Sequence, residues 1–579
     1  MSSNYFPRRQ ISAIRDFPEG CGRKSKEEDE CVEPIAIRRR LGNGESKLTF
    51  EKKLVRPGGV TASKVKDTLR LFQTICRIIL RDEERKSKDG SSIRRVDYES
   101  WKIMKANNKL LNIGDKGVGN VPGVEVGDEY HYRVELCLIG LHRQTQGGID
   151  YMGSGDNVLA TSIVASGGYD DKMDGSDILI YSGQGGEPGP RKKVATDQVL
   201  KRGNLALRNS MVAKTPVRVI RGFKQTKGQT WSEARMDMAA ALVYDGLYLV
   251  TDYWKEQGCF GTNVFKFKLE RMKGQPELGI KELKRSYKAS TRIGICVYDI
   301  SEGAEKMRIA AVNTVDNEKP PPFVYKARME YPQRYNPTPT QGCACINGCS
   351  SLTKCPCTEK NGGQIPFNHN GALVETKPLI YECGRSCKCP LTSCYNRVSQ
   401  RGIKLPLEVF KTRNKGWGVR CLSSIPSGSF ICEYTGELLQ DMEAEERTGA
   451  DEYMFDIGNK YDEHGLLRGL SNILSELRSN SVCATVENCG FTIDAAKCGN
   501  VGRFINHSCS PNLCAQNVLY DHHDKRMPHI MFFAVVNIPP LQELTYHYNY
   551  KVDQVVDSDG NIKKKNCYCG SSECTGRMY

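Results

Sequence analysis

Nine cysteines crowd residues 343 to 394, as CACINGCSSLTKCPC and then CGRSCKCPLTSC: Cys343, Cys345, Cys349, Cys355, Cys357, Cys383, Cys387, Cys389 and Cys394. Thiolates at such density are ligands for a soft or borderline metal, and the C-x-C pairs set two sulfurs too close for separate ions but well placed for bridged ones. Two independent tetrahedral sites would use eight sulfurs and strand one, whereas three zinc ions need twelve coordination positions, which nine thiolates supply when three of them bridge. The odd count therefore favours a shared three-zinc cluster, with His369 the only histidine in the gap. No ferredoxin-type spacing is present. Such a cluster stands in for an apolar core, so chelation is expected to unfold the segment. The tail repeats this chemistry on a smaller scale: Cys567, Cys569 and Cys574 form C-x-C-x4-C, one ligand short of a tetrahedral zinc site. Cys509, in RFINHSCSPN, is the candidate fourth ligand, since its neighbours Cys498 and Cys514 lie at spacings of no usual zinc knuckle. The structural alternative is that Cys509 is merely a small buried side chain.

In a reducing compartment 25 cysteines are read first as metal ligands rather than as disulfides. MSSNYFPRRQ lacks the apolar core of a secretory signal and no run approaches the roughly 18 apolar residues of a membrane span, so an intracellular protein is expected. Its net charge of +15 favours a polyanionic partner such as nucleic acid. At 579 residues the chain should hold several domains. Residues 1–60 mix charge, Gly and Pro and read as a disordered basic arm. In the segment 61–115, Val65, Leu69, Phe72, Cys76 and Ile79 step by four and three, which predicts a helix packed on a neighbouring domain, with a partner-binding or dimer helix as the alternative; DYESWKIMKANNKLL predicts a second. From 116 to 272, short β-prone runs such as NVLATSIVAS, DILIYSG and GLYLVTDYW alternate with Gly- and Asp-rich turns, which predicts a β-rich domain or barrel. A connecting segment, 273–340, ends in a Pro-rich linker. Beyond 400 come further short strands and a polar helical insert near 460 to 490.

KGWGVR (415–420), YTGE (434–437), RFINHSCSPN (503–512) and ELTYHYNY (543–550) resemble the SET domain of protein lysine methyltransferases. The nine-cysteine segment is similar to a pre-SET domain and CYCGSSEC to a post-SET. GGYDDKMDGSDILIYSGQGG with VYDGLYLV resembles an SRA (YDG) domain, the module that holds methylated cytosine. The ordered combination is similar to the plant histone H3 methyltransferases of the KRYPTONITE type, of Suv-type architecture. The resemblance implies a multidomain fold, mainly β with helices: SRA β-barrel at 116–272, zinc-cluster pre-SET at 341–400, pseudoknotted SET domain at 401–551 and zinc-bound post-SET at 563–579. It implies an S-adenosylmethionine-dependent enzyme that mono- and dimethylates lysine 9 of the H3 tail on nucleosomes, in nuclear chromatin, recruited by methylated DNA for gene silencing.

Methyl transfer to an amine needs a sulfonium methyl and a neutral nitrogen held in line, in a channel that excludes water. In KGWGVR, Gly416 and Gly418 allow close backbone approach, Trp417 offers an aromatic face and Lys415 reaches a carboxylate; the plainer reading is a β-turn with a core Trp. By resemblance this turn cups the cofactor, with Arg503, Asn506 and His507 as its second wall and Asp451 as a further contact. Alternation along ELTYHYNY puts Tyr546 and Tyr548 on one face and His547 on the other. Tyr548 matches the family's catalytic tyrosine and Tyr453 resembles its second channel tyrosine. Tyr546 stands where the family carries Tyr or Phe, and its hydroxyl, by filling space, implies products short of trimethyl-lysine. His547 stands where the family usually has aspartate, and a changed local hydrogen bond is expected.

A methylated cytosine in a duplex hides its pairing edge, so a protein that reads it fully must flip the base out and stack it between aromatics. Tyr169 and Tyr181 resemble the stacking pair, Asp171 the carboxylate that takes the cytosine amino proton, with Asp170 and Asp174 as alternatives. Gln144 or Gln146, in HRQTQGG, is expected to enter the space the base leaves. Enzymes acting on the base itself are excluded by motif: the only Pro-Cys, Pro356-Cys357, lies inside the cysteine cluster, and none of the nine histidines begins H-x-E. The rival reading is a methylcytosine-binding reader whose SET domain is a non-catalytic scaffold.

Overall fold

The computed structural model describes residues 35–37, 50–52, 60–86, 95–165, 177–186, 194–223, 241–258, 260–278, 293–332, 335, 338, 341–349, 355–447, 452–457, 490–550, 552–553, 555, 561–571 and 574–579. The chain divides into two compact units, one built mainly of Arg95–Glu282 and the other of Leu283–Tyr579. The polar insert expected near 460 to 490 falls at 458–489, outside the described residues. Where a disordered arm is expected, Ile35–Ile37 pairs antiparallel with Phe50–Lys52.

The first predicted helix is present as Ala62–Lys86 and the second as Val96–Ala106. Val65, Leu69, Phe72 and Cys76 are buried as their spacing requires, but Ile79 is only half-buried while Ile75 and Ile78 are buried. The covered stripe is therefore wider than a four-three seam, as for a helix lying on a globular surface. Arg77, in its second half, donates to the Val374 carbonyl at 3.2 Å and to Ser427 Oγ at 2.8 Å.

The β-rich unit holds a seven-stranded sheet in the order Ile149–Ser154, Asn157–Ala165, Val217–Phe223, Ala241–Gln257, Asn263–Arg271, Ile178–Ser182, with Glu129–Tyr130 also pairing on Ala241–Gln257. The helix Gly203–Ala213 supplies Ala206 and Leu207 to its core. The YDG residues are internal braces. Asp245, fully buried, is ion-paired with Arg221 and accepts the Tyr248 hydroxyl at 2.7 Å. Gly246 sits at φ +109°, where a Cβ would lie 2.4 Å from Gln275 Oε1.

The second unit is built from small sheets. Six strands run in the order Ile295–Val297, Ala310–Val312, Leu407–Lys411, Trp417–Cys421, Glu543–Tyr546, Asn506–His507. A four-stranded sheet orders Ile380–Tyr381, Leu513–Leu519, His529–Ala534, Phe430–Glu433, and a three-stranded one sets Phe491–Asp494 between Glu437–Gln440 and Met454–Ile457. The nine cysteines pack with Ile365, Phe367, Leu373, Ile380, Val518, Met531 and Phe533, so they share an apolar core with the four-stranded sheet rather than replacing one.

That sheet carries a buried charge cluster. His529 Nδ1 lies 2.6 Å from Glu433 Oε1 and its Nε2 lies 3.0 Å from Asp521 Oδ1. Burial opposes the imidazolium, but the two carboxylates outweigh it and lift its pKa to about 10. Asp521, His522 and His529 lie close enough to share an ion. However, His522 Nδ1 accepts the Asp524 N–H at 3.2 Å, which puts the ring proton on Nε2, and the group reads as a braced ion pair. A raised folded-state pKa contributes stability that is complete below the unfolded value near 6.5 and is lost as pH climbs through about 10. Urea midpoints measured from pH 6 to 10 should therefore fall more steeply for the native chain than for His529→Gln. Parallel curves would mean that His529 carries no extra proton.

Candidate active site

The turn before Trp417–Cys421 is closed by Thr412, whose N–H donates to the Gly416 carbonyl at 2.7 Å and whose hydroxyl accepts the Lys415 N–H at 2.9 Å. Gly416 takes φ +70°, a conformation that a side chain would strain. A Cβ at Gly418 would lie 3.0 Å from Glu543 Oε1 and 3.2 Å from Asn506 Nδ2, so this glycine lets the turn approach the neighbouring strands. The carboxylate that Lys415 reaches is Glu543. Asn506 Nδ2 donates to Glu543 Oε1 at 2.9 Å and to the Trp417 carbonyl at 3.0 Å. Glu543 thus joins both expected cofactor walls, and nothing in the ELTYHYNY pattern sets it apart from any other strand carboxylate. Trp417 is a core side chain, packed with the apolar cluster of the six-stranded sheet and capped by the Lys411 ammonium at 5.5 Å.

A cleft opens beside this junction, lined by Lys415, Tyr434, Arg503, Asn506, His507, Tyr546 and Tyr548, and by the tail residues Tyr568 and Tyr579. Gly416 and Trp417 are not among the lining residues. Tyr546 ends the strand Glu543–Tyr546, with its ring 4.8 Å from Phe532 and 4.6 Å from Tyr548. The Tyr548 hydroxyl donates to the Ile505 carbonyl at 2.8 Å. His547 is exposed and does not line the cleft; its Nδ1 accepts the Asn549 N–H at 2.9 Å. Arg503, buried, donates to the carbonyls of Ala495 at 2.8 Å and Ala496 at 3.0 Å, and its guanidinium lies 3.8 Å over the Tyr453 ring. Tyr453 is further held through its carbonyl, which accepts the buried Tyr434 hydroxyl. Sequence reasoning passed over Tyr434, although YTGE contained it. Asp451 lies outside the described residues.

The sulfurs of Cys509, Cys567, Cys569 and Cys574 all lie within 4.8 Å of one another. Folding therefore brings residue 509 to the tail, and four thiols without a disulfide fit a tetrahedral thiolate-bound ion. The tail closes on itself through Met578 N–H to the Lys565 carbonyl at 2.7 Å, and Tyr579 packs edge-on against Tyr550 at 5.2 Å. In the nine-cysteine segment, Cys343 with Cys349, Cys383 and Cys389 forms one such group, Cys343, Cys345, Cys349 and Cys355 a second, and Cys343, Cys357, Cys383 and Cys387 a third. Cys394 Sγ lies 3.9 Å from Cys383 Sγ. His369 packs on the Tyr395 ring at 4.5 Å and belongs to none of these groups.

In the other unit Tyr181 is buried on the strand Ile178–Ser182, and a Cβ at Gly148 would come within 2.5 Å of its hydroxyl. HRQTQGG therefore runs directly beside Tyr181. Its shape is held by His142, whose Nδ1 lies 2.9 Å from Ser162 Oγ and Nε2 2.9 Å from the Gly147 carbonyl, with the Arg133 guanidinium on the same carbonyl. Burial and then Arg133 push the His142 pKa down to about 3, so the ring is neutral. Gln144 is half-buried and Gln146 exposed; Tyr169, Asp170, Asp171 and Asp174 lie outside the described residues.

Family models for the SAD/SRA domain, the Pre-SET motif and the SET domain match residues 117–275, 301–397 and 416–549. The Arabidopsis thaliana histone-lysine N-methyltransferase, H3 lysine-9 specific SUVH6 is 52% identical over 585 residues, covering 98% of this chain and 72% of the relative. The chain belongs to the SUVH family of histone-lysine N-methyltransferases. SUVH5 of the same plant is 53% identical over 570 residues, 97% of this chain and 67% of its own. The crystal structure of Arabidopsis SUVH6 in complex with SAM superposes with a TM-score of 0.78 at 55% identity, covering 90% of this chain and 99% of that one. That of KRYPTONITE in complex with mCHH DNA, H3(1–15) peptide and SAH gives 0.70 at 34% identity, covering 90% and 100%. This SUVH chain is accordingly a multidomain, mainly β protein with SRA, pre-SET and SET parts. Among its described residues no helix is long and apolar enough to cross a membrane.

Proposed function

We propose that this SUVH chain transfers methyl groups from S-adenosylmethionine to lysine 9 of the histone H3 tail, in nuclear chromatin, and is brought to nucleosomes by methylated DNA held on its SRA domain. The observation that carries the reading is the Tyr548 hydroxyl at the Ile505 carbonyl, on a cleft walled by Tyr546, Tyr434 and the sulfur-gathered tail. The cofactor, when bound, supplies an electrophilic sulfonium methyl. Lys415, Arg503, Asn506 and His507, with Asp451, Tyr453 and the Gly416-Trp417 turn, form its walls, Asn506 and His507 presenting backbone and amide groups to its adenine and methionine ends. The tyrosine channel does the rest. Its apolar rings exclude water and favour the neutral amine. Tyr548 orients that amine in line, while Tyr453 and Tyr546 bound the channel.

In this reading the cysteine centres hold zinc, three ions in the pre-SET cluster and one at Cys509, Cys567, Cys569 and Cys574. The recurrence of Cys343, Cys349 and Cys383 in more than one sulfur group supports bridging. On the SRA domain, Tyr169 and Tyr181 stack the flipped base, Asp171 accepts its amino proton and Gln144 or Gln146 fills the vacated space. Phosphate contacts from Lys and Arg make that binding strongly salt-dependent.

Radiolabelled transfer to an H3 peptide, read with product masses, tests the reading; an unlabelled peptide would leave a methylcytosine reader. The same assay should show Tyr546→Phe shifting product from mono- and dimethyl toward trimethyl-lysine, because losing the hydroxyl makes room for the third methyl. An unchanged distribution would refute that role. Asp171→Ala should leave peptide kcat within about 2-fold but lower activity on methylated nucleosomes by about 10-fold, since it removes only a contact to the flipped base. Equal losses on both substrates would exclude the recruitment step.

A further inference from the structure

His507 has two ring nitrogens, and both are committed. Its Nδ1 accepts the backbone N–H of Tyr548 at 3.1 Å, and its other nitrogen, Nε2, faces Cys509 Sγ at 3.6 Å, within hydrogen-bond reach of a sulfur. A neutral imidazole that accepts at Nδ1 carries its proton at Nε2, so the ring donates to the sulfur. The ring cannot turn away. It is buried, the Tyr548 ring packs edge-on at 5.3 Å and the His547 ring at 4.9 Å, and Asn506–His507 is itself a strand paired in parallel with Thr545 and Tyr546. Donation to a thiolate is the outer-shell contact that orients a metal ligand and raises metal affinity.

We infer that His507 is a positioning residue that links the four-cysteine tail centre to the backbone of Tyr548, so that closure of the tail and placement of the catalytic hydroxyl depend on one ring. The inference deepens the proposed function. Its catalytic consequence rests on that reading, whereas the two hydrogen bonds do not. His547 covers the outer edge of the linking ring, which gives a side chain lying off the channel a place in the same assembly.

The two ends of the link can be cut separately. In the zinc-loaded full-length protein, His507→Asn keeps a carbonyl near the Nδ1 position and loses the donor to Cys509. His507→Gln reaches the Nε2 position with an amide N–H and withdraws the acceptor from Tyr548. Three quantities are measured: the rate at which a chromogenic chelator strips the most labile zinc, hydrogen exchange of the Tyr548 amide, and kcat on the H3 peptide. His507→Asn is expected to release zinc about 10-fold faster while Tyr548 stays protected. His507→Gln should keep zinc release near native while Tyr548 exchanges about 5-fold faster and kcat falls with it. Both variants losing both protections together, or neither losing either, would overturn the link. If native protein labels no H3 peptide, the proposed function fails, yet zinc release and exchange still decide the inference.

Discussion

Tyr548→Phe should lower kcat for methyl transfer to an H3 peptide by about 100-fold or more while changing the unfolding free energy by only about 1 kcal/mol. The ring is kept, so its packing on Tyr546 at 4.6 Å survives, while the hydroxyl's donation to the Ile505 carbonyl is lost. A net hydrogen bond contributes about 0.5–1.5 kcal/mol to folding. A group that orients the nucleophile and stabilises developing charge acts on the barrier instead, where about 2.7 kcal/mol corresponds to 100-fold. The two roles therefore separate cleanly when stability and rate are measured on the same preparation. A kcat within about 5-fold of native would make Tyr548 a packing residue and return the reading to a non-catalytic scaffold. S-adenosylmethionine affinity should stay near native, because the hydroxyl is not assigned to the cofactor walls.

Removing metal should have two outcomes that depend on the sulfurs lost. Cys509→Ser takes one ligand from the tail centre, and kcat/KM for the H3 peptide should fall by about 100-fold while the pre-SET segment stays folded. Tyr568 and Tyr579 line the cleft, and the short segment carrying them is held by the four sulfurs together with the Tyr579 ring on Tyr550 and Arg577 on Asp553 at 2.9 Å. Limited proteolysis near Lys563–Lys565 should accelerate in this variant, with cleavage elsewhere unchanged from native. Cys383→Ser strikes a fully buried sulfur that belongs to two of the sulfur groups, and loss of a shared ligand should unsettle more than one ion. Its expected result is insoluble protein or a large loss of cooperative unfolding. Apolar partners such as Ile365, Phe367 and Phe533 soften this effect without abolishing it, because they pack around the sulfurs and do not replace their bonds. Tail proteolysis unchanged in Cys509→Ser would show that the tail holds its place without a metal.

Motifs whose chemistry is local were legible. The cysteine spacing and the four-three step of the first helix repeat at short range, where backbone geometry dictates which side chains share a face, whereas the strand that carries Tyr546 ends there, before Tyr548. Helix edges were less so: Ile75 and Ile78 are buried and Ile79 only half, because the width of a covered stripe depends on what lies against it. Trp417 shows the same limit at the site. Its type and neighbours suit a ligand or a core, and only the sheet around it, with Val409 and Val419, places the ring inside.

By itself the sequence determined the order of parts, the pool of metal ligands and the tyrosines available for a channel, since each follows from residue type and short spacing. Tertiary structure decided which of these meet. Glu543 joining Lys415 to Asn506, Arg503 lying over Tyr453, His507 between Cys509 and Tyr548, and residue 509 reaching 567–574 all join segments distant in sequence or on different strands. Such contacts have no period to read. They are set by how strands from separate stretches pack into one core, and their hydrogen bonds gain strength only where that packing excludes water.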